Sequence, residues 1–367
     1  MAANKIESLQ VLRAFAAIAV VAHHSFRAVT VNADPSLNMP TPYLLSNTQF
    51  IEIGAFGVDL FFILSGFLMI LIAAPYVDGR RPKTDFIVQR LIRVWPMYIL
   101  ATALYLALRI VSRVANGADM PPDASPIRLL SFVFVPSFNE AGLLQPILGV
   151  GWTLNYEVFF YLVFLIALII GGGRLLTAAA IILGVSFSLG TVLPSDTVAH
   201  AFLSDPIIFE FLFGAAAARL YLSGHLAKLP PVPLLICGVL LLTALCFWPN
   251  ESYFRFVLRG IPALLIFLGV LMLNSRVKWP RWCIFLGDAS YSVYLFHILI
   301  VYQVCSRALQ FLVQNGIMVM SAEIAAIAAI AVSIVAGSAI HQAIEKPVTT
   351  YLHTRAKRRM QEKSATS

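Results

Sequence analysis

The chain has 367 residues, 59% of them hydrophobic and only 12% charged, with a mean hydropathy of +0.84. Soluble domains run near 45–50% apolar and about 25% charged, so this balance excludes a water-soluble fold. The net charge of +8 would suggest nucleic acid in a soluble protein. In a membrane protein the same excess reports topology, and no nucleic-acid partner is expected.

About 217 apolar residues suffice for about ten spans of ~20 residues. In chain order, apolar runs predict transmembrane helices at about 8–27, 54–74, 95–112, 152–170, 175–193, 204–222, 233–249, 257–274, 283–304 and 321–341. The first run has the position of a signal peptide, but Arg13 and the pair His23–His24 stand where small residues would mark a cleavage site. With the N-terminus in the cytoplasm, alternation through ten spans leaves 19 of the 26 Lys and Arg residues inside, as the positive-inside rule requires. An odd number of spans would put the basic tail outside. The expected fold is therefore an all-α integral membrane protein of about ten helices with both termini cytoplasmic. Its parts are a polytopic domain over 1–346 and a basic cytoplasmic tail over 347–367, which reads as an anchor on anionic membrane lipid.

Two longer outer segments, about 28–53 and 113–151, are rich in Pro, Asn, Asp and Ser. They are long enough to cover an external cavity, with an interfacial helix predicted at 128–135. Four cysteines (Cys237, Cys246, Cys283, Cys305) lie in apolar stretches without C-x-x-C spacing. That pattern argues against a disulfide framework and against a zinc or other metal site.

Ionisable residues inside spans are the informative ones, because each is costly unless paired or functional. Arg13 and His24 are eleven residues apart in the first span, so they share a face about 16 Å apart along the axis. Interhelical hydrogen bonding is the plain alternative for His24, and interfacial snorkelling for Arg13. Asp59 lies in GVDLFFILSGF, where the nearby Gly54, Gly57 and Gly66 read as packing positions that leave the carboxylate unexplained. Glu157 forms an i, i+4, i+8 stripe with Thr153 and Tyr161. His24, Asp59 and Glu157 fall at one depth near the outer face and make a candidate base-and-orienter set.

On the inner side, Arg90 and Arg93 are i, i+3 before Trp95–Pro96. Such a pair suits a phosphate-bearing ligand, and topogenic bias is the alternative. Glu210, and Ser290, Tyr294 and His297 on one face of the ninth span, read as polar glue or cavity lining.

The segments LQVLRAFAAIAVVAHHSF, GAFGVDLFFILSGFLM, RLIRVWPMYIL, GVGWTLNYEVFFYL, LGDASYSVYLFHILI and EKP resemble, in order, the signature blocks of the membrane acyltransferase 3 family, most of all its exopolysaccharide O-acetyltransferases. The blocks run from residue 9 to 347. The resemblance implies an acyl-CoA donor on the cytoplasmic side, with no permanently bound cofactor, and a polysaccharide or lipid-linked sugar hydroxyl as acceptor. It points to His24 as catalytic with Arg13 as its motif partner, to Arg90 and Arg93 as the basic element, and to Glu157 as the carboxylate after a W-T pair. Ala14 stands where the family commonly has Gly, a departure that bears on packing.

The expected activity is thus transfer of acetyl, or a similar short acyl group, onto a bacterial surface sugar at the inner membrane. Glu157 or Asp59 would orient His24. A proton-coupled sugar or glycolipid transporter is the alternative, although no internal repeat supports it.

Overall fold

A computed structural model describes residues 6–30, 48–117, 119–245, 255–274, 276–315 and 322–366. Most of the first outer segment and Cys246 lie outside the described residues. Eleven helices of twelve or more residues organise them: α1 Glu7–Thr30, α2 Gly57–Leu71, α3 Lys83–Ala115, α4 Trp152–Ile170, α5 Leu175–Val192, α6 Ile208–Leu222, α7 Pro231–Leu245, α8 Ile261–Met272, α9 Arg281–Ile298, α10 Ala322–Ile340 and α11 Lys346–Thr366. The fold is all-α, and each of the ten predicted apolar runs falls on one of α1 to α10. Among the described residues, eight helical stretches are long and apolar enough to cross a bilayer, and α7 and α8 belong to two shorter apolar helices.

The described residues form two compact units, one from residues 1–71 and 206–339, the other from 72–205 and 340–367. In the first, α2 crosses α6 where small residues meet. A Cβ on Gly66 would lie 1.9 Å from the Phe211 carbonyl oxygen, and one on Gly214 would lie 1.8 Å from that of Ile63. Two apolar helices gain nothing by hiding from water in a bilayer, so backbone proximity and dispersion must hold them together, which is what glycine at a crossing permits. The same device seats α1: a Cβ on Gly57 would meet the Ala16 carbonyl at 2.3 Å, and one on Gly287 of α9 would meet that of Gln10 at 2.1 Å. Ala14 is buried on this packed face of α1.

In the second unit, α3 is 33 residues long and starts at Lys83, well before the run predicted from hydropathy. Pro82 in an extended conformation precedes it, and charged residues lower hydropathy without breaking a helix. Arg90 and Arg93 are consequently inside the helix. The tail is helical as α11 and packs against α3, where His353 Nδ1 meets Gln89 Oε1 at 2.5 Å.

In place of the interfacial helix predicted at 128–135, two short helical turns span Pro126–Leu129 and Leu130–Val133. Phe134 ends them at φ 62°, a left-handed conformation unusual for an aromatic residue. Stacking on Tyr98, with ring centroids 4.7 Å apart, helps hold it there. Cys237, Cys283 and Cys305 are free thiols.

Candidate active site

In the first unit, the last two turns of α1, beyond the Gly57 crossing at Ala16, carry His23, His24, Ser25 and Arg27. His24 is half-buried. Its ring centroid is 5.0 Å from that of His23, 5.1 Å from His297 and 6.4 Å from Tyr302. His23 turns away and bonds the Ile51 carbonyl oxygen through Nδ1 at 2.9 Å. One turn beyond His24, Arg27 pairs with Glu52. Arg13 lies three turns earlier on α1 and is partly exposed.

Asp59 is fully buried in the first turn of α2. Arg255 donates to its Oδ1 from Nε at 3.3 Å, and Nη2 lies 3.2 Å from the same oxygen. The glycines around Asp59 are explained by packing and the carboxylate by this buried ion pair. Arg255 precedes a π-helical turn, Phe256–Gly260, that carries Arg259. Glu210 of α6 is also fully buried, and its Oε1 lies 3.3 Å from where a Gly260 Cβ would stand. Asp59, Arg255, Arg259 and Glu210 thus belong to one charged layer of the first unit. The carboxylate of that layer proposed as an orienter of His24 is engaged by an arginine.

Glu157 belongs to the second unit. Tyr161, one turn further along α4, donates its hydroxyl hydrogen to Glu157 Oε1. The Arg90 guanidinium of α3 lies within electrostatic reach of Glu157, Tyr161 and Arg93. The sequence grouped Glu157 with His24 by depth; within the second unit its charged neighbour is Arg90. The early start of α3 places Arg90 and Arg93 inside a helix that packs against α4.

His24 therefore has imidazole and phenol neighbours, and Arg90 has a carboxylate–phenol pair. The first arrangement can take and return a proton; the second can hold a cationic face for an anionic ligand. Near the end of α1, a cavity of about 280 Å³ is lined by Ser25, Val29, Val301, Cys305, Ala325 and Ala329 among others, almost wholly apolar. It offers a sugar few hydrogen-bonding groups.

Long apolar helices that carry ionisable residues within them define a multi-pass membrane protein. Residues 6–341 match the acyltransferase domain family, acyltransferase 3, and the chain belongs to that family of membrane O-acyltransferases. It is 33% identical over 257 residues to the exopolysaccharide production protein ExoZ of Rhizobium meliloti (strain 1021), covering 67% of this chain and 76% of that protein. It is 26% identical over 339 residues to the putative peptidoglycan O-acetyltransferase YrhL of Bacillus subtilis (strain 168), covering 80% of this chain and 48% of YrhL. The peptidoglycan O-acetyltransferase OatA of Listeria monocytogenes is 25% identical over 345 residues, or 81% of this chain and 49% of OatA. The chain spans about half the length of these two peptidoglycan relatives. No solved structure matches it.

Proposed function

We propose that the protein moves an acetyl or similar short acyl group from acyl-CoA to a hydroxyl of a cell-surface or lipid-linked polysaccharide, in a bacterial inner membrane. The observation that carries this reading is His24, a half-buried imidazole in α1 with the rings of His23, His297 and Tyr302 around it. The exopolysaccharide and peptidoglycan relatives support a polysaccharide acceptor.

His24 acts as general base. It takes the proton of the acceptor hydroxyl as that oxygen attacks the thioester carbonyl carbon, the C–O bond forms and the C–S bond breaks. The proton then passes to the departing thiolate, which leaves as free CoA. Arg90 and Arg93 of the second unit supply guanidinium groups for the CoA phosphates. The Glu157–Tyr161 pair tethers Arg90 electrostatically from α4. Arg13 adds a cation on the cytoplasmic part of α1. Asp59 fixes Arg255 in the charged layer of the first unit.

Purified protein in nanodiscs, given acetyl-CoA and a soluble oligosaccharide, tests the reading through acceptor-dependent release of free CoA. His24→Ala is expected to lower that rate by roughly 10³-fold while membrane insertion is retained. No CoA release from the wild type across a panel of acceptors would favour transport over transfer. Wild-type rates in a correctly inserted His24→Ala protein would remove His24 from the chemistry.

A further inference from the structure

His297 closes α9 with its ring fully buried. Its Nδ1 stands 2.6 Å from the Tyr294 carbonyl oxygen. A carbonyl only accepts, so Nδ1 carries the hydrogen, and the neutral imidazole is left with a lone pair on Nε2. That Nε2 is buried and has no hydrogen-bond partner among the described residues. A buried acceptor without a donor costs free energy, and when a fold keeps one, a partner present only during function is a physical reason.

The His24 ring is the neighbour placed to supply that donor. The two centroids are 5.1 Å apart and the planes meet at 42°, a spacing from which a ring rotation or one bridging water joins facing nitrogens. Catalytic hydrogen bonds are often long before substrate binds. Asp59, the carboxylate of this unit considered for the role, is ion-paired with Arg255 through Oδ1 and keeps a buried Oδ2 without a hydrogen-bond partner among the described residues, but His24 has its ring contact with His297. Immediately after His297 the helix widens into a π-helical stretch, Leu299–Cys305, a local distortion frequently found at functional sites. Tyr302 of that stretch also faces His24.

We propose that His297 is the positioning residue for His24: a neutral imidazole whose Nε2 accepts the N–H of His24 and so directs the other His24 nitrogen at the acceptor hydroxyl. The inference rests on the general-base reading of His24. During transfer the hydroxyl proton moves to the free His24 nitrogen and then to the leaving thiolate, while the opposite N–H stays donated to His297. His297 itself gains and loses no proton.

Three variants separate this role from the Tyr294 hydrogen bond. Glutamine places an acceptor oxygen near the Nε2 position, asparagine reproduces only the Nδ1 donor, and phenylalanine keeps the shape without either. His297→Gln is expected to stay within a few-fold of wild-type kcat. His297→Asn and His297→Phe should lose roughly a hundredfold in kcat with KM unchanged. A second readout needs no turnover: the rate at which diethyl pyrocarbonate modifies His24, followed by mass spectrometry of the His24 peptide. An accepting partner makes the free nitrogen more nucleophilic, so modification should slow in the Asn and Phe variants and persist in Gln. Retained kcat or modification rate in His297→Asn, or loss in Gln equal to that in Phe, would overturn the proposal. Failure of CoA release in the wild type would instead strike the transferase reading and leave the modification test standing.

Discussion

Arg128, in the segment between α3 and α4, and His297, at the end of α9, are both nearly excluded from solvent, at 7% and 0% relative exposure. Arg128 has four partners on its two terminal guanidinium nitrogens. Nη1 donates to Ser137 Oγ at 2.8 Å, to the Phe138 carbonyl at 3.1 Å and to the Gln145 carbonyl at 2.6 Å, and Nη2 donates to Asp123 at 3.2 Å. Asp123 is shared with Arg109 at 2.6 Å. The result is a clamp that folds residues 123–145 onto the end of α3, helped by the Trp95 indole donating to the Phe132 carbonyl. His297 instead has one nitrogen bonded and one left over. A polar group that is buried and satisfied serves the fold, because its desolvation is already compensated. One that is buried and unsatisfied is available to something that comes and goes.

The sharpest way to break that contrast is Arg128→Met. Removing Arg128 leaves Asp123 with Arg109 alone and strands three acceptors, so stability should fall by about 3 kcal/mol, read as a lower Tm of the detergent-solubilised protein. Activity per folded molecule should be preserved. His297→Phe is the opposite case. It loses one hydrogen bond but also removes an unsatisfied buried nitrogen, and the two effects nearly cancel. Its Tm should move by an amount worth ~1 kcal/mol or less while kcat drops. If His297→Phe unfolds the protein as Arg128→Met does, the distinction between satisfied and unsatisfied burial fails.

The sequence makes the helices legible and the pairings much less so, for a physical reason. A span is a sum over about twenty neighbouring residues, so the runs at 8–27 or 283–304 are visible in composition alone. The start of α3 is not, because Arg90 and Arg93 pull the local hydropathy down while leaving helix propensity intact. The π-helical stretches after Ile298 and Ile340 are changes of one residue per turn and leave no mark on an apolar average. His24 stands out because an ionisable group in an apolar run is locally conspicuous. Its surroundings do not: Asp59 and Arg255 are 196 positions apart, and nothing local in the sequence ties Arg255 to α2. Nor does anything local tie Arg128 to Asp123 and Gln145. The one usable signal for His297 is its place on a face with Ser290 and Tyr294, which hydropathy cannot distinguish from polar glue.

The smallest effect is expected at Arg80, and it isolates what gives Arg128 its weight. Arg80 Nη2 approaches Asp78 Oδ2 at 2.9 Å, closer than the 3.2 Å between Arg128 and Asp123. By distance alone the Arg80 pair is the stronger. Its side chains, however, are 65% and 53% exposed, so water and salt screen the attraction and solvate either partner when the other is removed. Arg80→Ala should therefore shift stability by only ~0–0.5 kcal/mol, a Tm change near the resolution of the measurement, and the shift should shrink further as salt is raised. An Arg80→Ala effect approaching that of Arg128→Met would mean that proximity, and not burial with saturated partners, sets the worth of an ion pair in this protein. The clamp reading of residues 123–145 would then lose its basis.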